Sequence, residues 1–294
     1  MFEYPKPSEI AIKKYKNNSP SIFHKFHGYN TFLYQVLTSQ QLHCSDYEKL
    51  NDPYDTRLIF TDSYIQRMFK DKSAIKVNIN DVFKDFMKKL NNGNRFVKLT
   101  KNSHKAKFQV IDAFYSDFVA VLLKYLNYNV VSFTVNNHES ENDILMWTHY
   151  TAISKGVKLT FDFGTGASRL NILPVLNKVV YKGLPEVDNI DDVHKALFQK
   201  TQVWKYEQEY RIVRREKKQP FDANSLKEIT FGYNIGKEER ETLIKIMLYL
   251  RYDWVKYYRI IFVKGKLKRE EIHIEKSMHD QNVITWYKLL KNED

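Results

Sequence analysis

The chain has 294 residues, 43% of them apolar and 28% charged, with nine glycines and seven prolines. That composition supports a full hydrophobic core and excludes a collagenous, low-complexity or disordered chain. A net charge of +12 suits polyanionic partners or a lysine-rich surface, and the single cysteine, Cys44, excludes an internal disulfide and a multi-cysteine zinc site.

Residues 1–20, with Pro5, Pro7 and Pro20, read as an arm. The opening MFEYPKPSEI has no apolar signal-peptide core, and the apolar run Val119–Leu123 is far too short to span a bilayer. A cytoplasmic protein with no membrane partner is expected. Residues 21–294 read as one α+β domain: a mixed, split β-sheet core with a basic helical insertion at about 56–129.

In chain order, Ser21–Phe26 reads as a strand. A helix follows at Asn30–Ser39, with Phe32, Leu33, Val36 and Leu37 on one face. Gln41–Ser45 reads as a second strand, and Leu50–Asp55 as a loop of turn formers. In the insertion, Asp81–Leu90 sets Val82, Phe83, Phe86, Met87 and Leu90 on one stripe, with Asn80 as cap and Gly93 as stop. Ile111–Leu126 reads as another apolar helix. From Met68 to Gln109 there are eleven Lys/Arg against three Asp. That stretch is either a nucleic-acid-facing surface or the solvated outer face of helices packed through their other side. The second half reads as strands at Val130–Thr134, Gly156–Phe161, Lys178–Tyr181, Glu209–Arg214, Leu226–Phe231 and Tyr258–Val263. Helices at Asp191–Gln199 and Glu238–Leu250 lie between them.

No HExxH, cysteine cluster, GxxxxGKS or GxGxxG is present, and the nine histidines are scattered, with His24 and His27 closest together. Three segments carry possible chemistry. Read as a strand, Trp204–Arg211 (WKYEQEYR) puts Glu207, Glu209 and Arg211 on one face. That is either an exposed ion-pair ladder or a carboxylate pair in a cleft, one member raised in pKa by the other. Met146–Gly156 (MWTHYTAISKG) clusters Trp147, His149 and Tyr150 just before a strand. Those rings either stack on a ligand ring or form a buried aromatic corner. In LNDPYD, Asn51, Asp52 and Asp55 around Pro53 read first as turn chemistry.

Four blocks in order resemble the bacterial domain-of-unknown-function family 2971. FHKF at Phe23–Phe26 is similar to its "lYKY" strand, and LNDPYD to its "fNDPfd" block. Ser132–Asp162 is similar to "SFS…lMWaHYAdnHkGvclgFd", and Lys200–Val213 (KTQVWKYEQEYRIV) to "K…WkyEkEwRiv". Ser154 stands where the family has His, and Phe26 where it has Tyr. The blocks span residues 23–213; the basic insertion and the region after about 235 lie outside them.

The order of parts also resembles that of ADP-ribosyltransferases. This second resemblance implies NAD as substrate, bound across a split sheet. It implies Glu209 as the main carboxylate at the nicotinamide ribose and Glu207 as its partner. Lys25 and His149 would hold ribose or phosphate, Trp147 and Tyr150 would pack near the base, and Arg211 would point into the same cofactor-binding cleft. The implied activity is ADP-ribosyl transfer to a nucleic-acid or protein target, as a toxin or in phage defence. Two other readings stay open. One is a metal-dependent nuclease or phosphodiesterase with Asp52, Asp55, Glu207 and Glu209 around Mg²⁺. The other is a non-enzymatic module binding nucleic acid through basic helices 68–109.

Overall fold

Strand β1 (Ile22–Gly28) is the first element among the described residues, and Asn30 starts α1 (Thr31–Ser39) by accepting from the Phe32 and Leu33 amides through Oδ1 at 3.0 and 3.2 Å. The structure, a computed structural model, describes residues 20–50, 52, 54–55, 58–70, 79–93, 104–135, 141–276 and 287–289. Nearly all of the N-terminal arm, together with Asn51, lies outside them.

After the short β2 (Ser45–Asp46) the insertion supplies α2 (Asp62–Lys70), α3 (Ile79–Asn92), α4 (His104–Ala113) and α5 (Tyr115–Leu126). Asn80 sits inside the first turn of α3 rather than capping it, whereas the Gly93 amide closes the last turn on Lys89. The stretch read as one helix over 111–126 is two, broken at Phe114, whose amide closes α4 and whose carbonyl opens α5. Next come β3 (Asn129–Thr134), α6 (Glu141–Tyr150), β4 (Gly156–Asp162), β5 (Asn177–Lys178), α7 (Ile190–Ala196) and β6 (Glu209–Arg214). Strand β7 (Leu226–Phe231), α8 (Lys237–Tyr249), β8 (Lys256–Val263) and β9 (Lys266–Ile272) follow. Among the described residues no helix is long and apolar enough to cross a membrane.

The nine strands form one mixed sheet in the order β9-β8-β7-β4-β1-β3-β6-β5, with β2 on the flank of β3. Strands β7 and β8 are parallel across α8; the other neighbours are antiparallel. The α+β class read from the sequence is what the chain adopts. β1 pairs with β4 over all seven residues, from Ile22↔Asp162 to Gly28↔Gly156. Its pairing with β3 is a single rung, His24↔Thr134. The sheet is therefore split between β1 and β3.

Strand alternation gives the two faces different chemistry. One face carries Phe23, Val131, Phe133, Leu159, Phe161, Ile212 and Ile229, packed with Leu33 and Val36 of α1 and Leu243 and Met247 of α8. The opposite face carries His24, Ser132, Thr134, Glu209 and Arg211 beside the split. Further along the same strands it carries Val130 and Val213, which join a second core with Phe69, Phe86, Phe118 and Leu122 of the inserted helices.

Helix α6 ends in an unusual connection. Ala152, Ile153 and Ser154 all have positive φ, 50, 58 and 61°, a region that costs residues bearing a Cβ. Hydrogen bonds compensate: Ser154 donates its amide to Trp147 and accepts from the Asn234 amide, both at 3.1 Å. The next strand starts on Gly156, where a Cβ would lie 2.3 Å from the His27 carbonyl oxygen. Only glycine lets the chain enter β4 that close to β1.

Candidate active site in the split of the sheet

Where β1 and β3 part, a cavity of about 200 Å³ is lined by Lys25, Ser132, Tyr150, Lys200, Glu207 and Glu209, with Asp55 and Lys49 on a wall. Strand alternation assigns Lys25 to the core face. Its ammonium nevertheless reaches the gap, donating to the Ser132 carbonyl at 3.1 Å and standing 5.7 Å from the Phe133 ring centre. It thereby satisfies a backbone acceptor beside the split. Burial pushes the Lys25 ammonium down to about 8, against the weaker pull of Cys44 and Glu209.

The strand read over Trp204–Arg211 begins only at Glu209. Gln202–Glu207 form a 3-10 turn, and Gln208 is left-handed at φ 44°. The convergence survives by another route, because the reversal at Gln208 brings Glu207 back beside Glu209. Lys200 lies between them: its Nζ is 2.7 Å from Glu207 Oε2, 3.4 Å from Glu209 Oε2 and 3.5 Å from Asp55 Oδ2. The Tyr150 hydroxyl donates to Glu207 Oε1 at 2.5 Å. Arg211 donates from Nε and Nη2 to the two oxygens of Glu209, at 2.6 and 2.9 Å. The same guanidinium holds both oxygens of Asp55, through Nη1 at 2.7 Å and through Nη2, and gives a further bond to the Leu197 carbonyl at 3.1 Å. All five charged groups are at most 5% exposed.

The carboxylates diverge in proton affinity. Burial, then the charge of Glu209, raises Glu207 above the ordinary carboxylate range, against Lys200 and Tyr150. Burial opposes the charge on Glu209 too, but Arg211 and Lys200 outweigh it and hold Glu209 below that range. Lys200 is destabilised by burial yet raised overall by Glu209, Glu207 and Asp55. Three carboxylates face two cations here, so the cluster holds one surplus negative charge when fully ionised.

The remaining predicted residues divide. Trp147 is turned away from the cavity and packs edge-on against Phe26 at 5.0 Å beside Met146 and Ile260. That is the buried aromatic corner, because MWTHY forms the last turn of α6 and Trp147 faces the sheet. His149 is exposed, 5.9 Å from the Trp204 ring, and does not line the cavity. Arg211 is buried among carboxylates and does not line the cavity. Asp52 Oδ1 accepts from the Tyr54 amide at 2.8 Å, the turn role. Asp55, Glu207 and Glu209 do converge, but on an ammonium and a guanidinium. Among the described residues no group of three or more His, Cys, Asp or Glu is arranged to hold a metal ion.

Sequence reasoning passed over Lys200 and His24, which also lines the cavity and meets the Thr160 hydroxyl through Nδ1 at 3.1 Å. The signal for Lys200 was its place at the head of the KTQVWKYEQEYRIV block. No family model, curated protein or solved structure matches this chain.

Proposed function

We propose that this chain is an ADP-ribosyltransferase-like enzyme that transfers ADP-ribose from NAD to a nucleic-acid or protein target, as a toxin or phage-defence effector. One observation carries the reading: a buried carboxylate pair of unequal proton affinity lies in the split of the sheet, opposite a lysine drawn into the gap. These residues suit the donor. Lys25 offers a cation for ribose or phosphate, and Glu207 and Glu209 offer negative charge to a centre that becomes positive. When bound, NAD supplies an ADP-ribosyl group whose release leaves its bonding electrons on nicotinamide and positive charge on ribose, as in glycoside cleavage.

Glu207 is assigned the working role. Tyr150 and Lys200 hold its two oxygens at 2.5 and 2.7 Å. Its raised proton affinity suits a base that takes the acceptor's proton near neutral pH. Glu209, fixed on Arg211, supplies negative charge that favours the charged transition state over the ground state. This reverses the sequence-based ranking of the two glutamates, because Arg211 and Lys200 hold Glu209 below the ordinary carboxylate range, where it is a weak base, while burial and Glu209 raise Glu207 above it.

The test is nicotinamide release from NAD by the full chain, with RNA, DNA and protein offered as acceptors. Glu207→Gln is expected to lower turnover about 100-fold or more. Absence of nicotinamide release together with absence of NAD-induced thermal stabilisation sinks the proposal. Mg²⁺-dependent cleavage indifferent to NAD would favour the phosphodiesterase reading instead.

A further inference from the structure

Asp55 belongs to a loop whose sequence reads as turn chemistry, yet the residue is 5% exposed and its carboxylate pairs with Arg211, 156 residues away. Both of its oxygens meet the Arg211 guanidinium, which also forks onto both oxygens of Glu209. A planar guanidinium held on one side by a carboxylate presents its remaining donors in a fixed direction. We infer that Asp55 is a positioning residue: by locking the Arg211 fork it fixes the Glu209 carboxylate in the split. Its own contact with Lys200, at 3.5 Å, ties the second cation to the same frame. Asp55 thus acts on Glu209 through Arg211 and Lys200.

The inference deepens the proposed transfer reaction and rests on it for its kinetic consequence, but its geometric consequence stands apart. Asp55→Asn keeps the shape and removes the charge that locks the fork. Arg211→Lys keeps a cation beside Glu209 but cannot fork onto two carboxylates. In crystal structures of both variants of the full chain, Glu209 is expected to leave its present position. NAD affinity, measured by calorimetry, is expected to stay within about threefold while turnover falls about 10- to 100-fold, as for a small displacement of a reacting group. A purely structural ion pair would instead lower thermal stability and leave turnover per folded molecule unchanged. If Asp55→Asn does not fold, Asp55→Glu, which keeps the charge but displaces it by one methylene from the Arg211 fork, decides by the same readout. A folded variant with Glu209 in place overturns the inference. If the wild type neither binds nor consumes NAD, the proposed function fails, while the position of Glu209 in the variants still decides the role of Asp55.

Discussion

Burial acts on Lys25 and Glu207 in the same physical sense, disfavouring charge, and so moves their titrations toward each other. For Lys25 the folded-state value falls to about 8 from 10.5. Between those values the unfolded chain binds more protons than the folded one, so stability rises with pH across that window. Below about pH 8 the cost of the buried ammonium is fully present. Lys25→Met lacks the titration. Relative to it, the wild type is expected to gain about 1–3 kcal/mol between about pH 7 and pH 11 in denaturant titrations. Parallel stability curves would mean that Lys25 is not desolvated. Glu207 slopes the other way. Its folded-state proton affinity is raised, so the stability it contributes at low pH is lost as pH rises above the ordinary carboxylate range.

At the scale of elements, the site depends on one backbone reversal. Gln208 is left-handed between the 3-10 turn and β6, and its amide closes on the Lys205 carbonyl at 3.3 Å. A glycine meets that φ without the Cβ penalty, whereas a β-branched side chain increases it. Gln208→Gly is expected to be neutral or stabilising by up to about 1 kcal/mol, and Gln208→Val to cost about 1–2 kcal/mol. Urea denaturation reads both; equal effects would mean that the left-handed turn is not under strain. The same turn shows where sequence legibility ended. Periodicity and β-branched runs place Glu209–Arg214 and Leu226–Phe231 at their observed bounds, and Asn30 signals its helix through side-chain capping. Alternation extended backward through Gln208 could not register a positive φ on a non-glycine residue. It put Glu207 and Glu209 together for the wrong reason. Gln199, read as the end of a helix, forms with Lys200 a short parallel strand beside Val180–Tyr181. That strand pairing is non-local, so alternation could not set the Lys200 ammonium between Asp55, Glu207 and Glu209; its place at the head of the KTQVWKYEQEYRIV block was the one local sign. Trp147 was legible as an aromatic in a block but not as one facing the sheet, because no element was assigned to the stretch before β4 that forms α6.

Across the whole molecule, the cleft and the inserted helices share their support. Val130 and Val213 belong to the helical core, while Ser132 and Arg211, two residues along the same strands, belong to the site. That offset is about 7 Å of strand. The inserted helices bury Val82, Phe83, Phe86 and Leu90 and leave Lys84, Lys88 and Lys89 of α3 in solvent. Helices packed through one face must show such a face, so exposure alone does not distinguish a solvated surface from a nucleic-acid contact. Salt dependence does, because each phosphate contact releases counterions, and log affinity falls with log salt by about 0.9 per contact on a duplex. If the acceptor is nucleic acid held on this face, neutralising the triple Lys84→Gln, Lys88→Gln, Lys89→Gln is expected to flatten that slope by about 2–3. Stability should change by no more than about 0.5 kcal/mol per substitution. Glu207→Gln should leave the slope untouched, since that carboxylate is buried in the cleft. An unchanged slope and affinity in the triple variant, measured by fluorescence anisotropy across a salt series, would remove α3 from the binding surface. Transfer to protein alone would then be the reading of the acceptor to pursue.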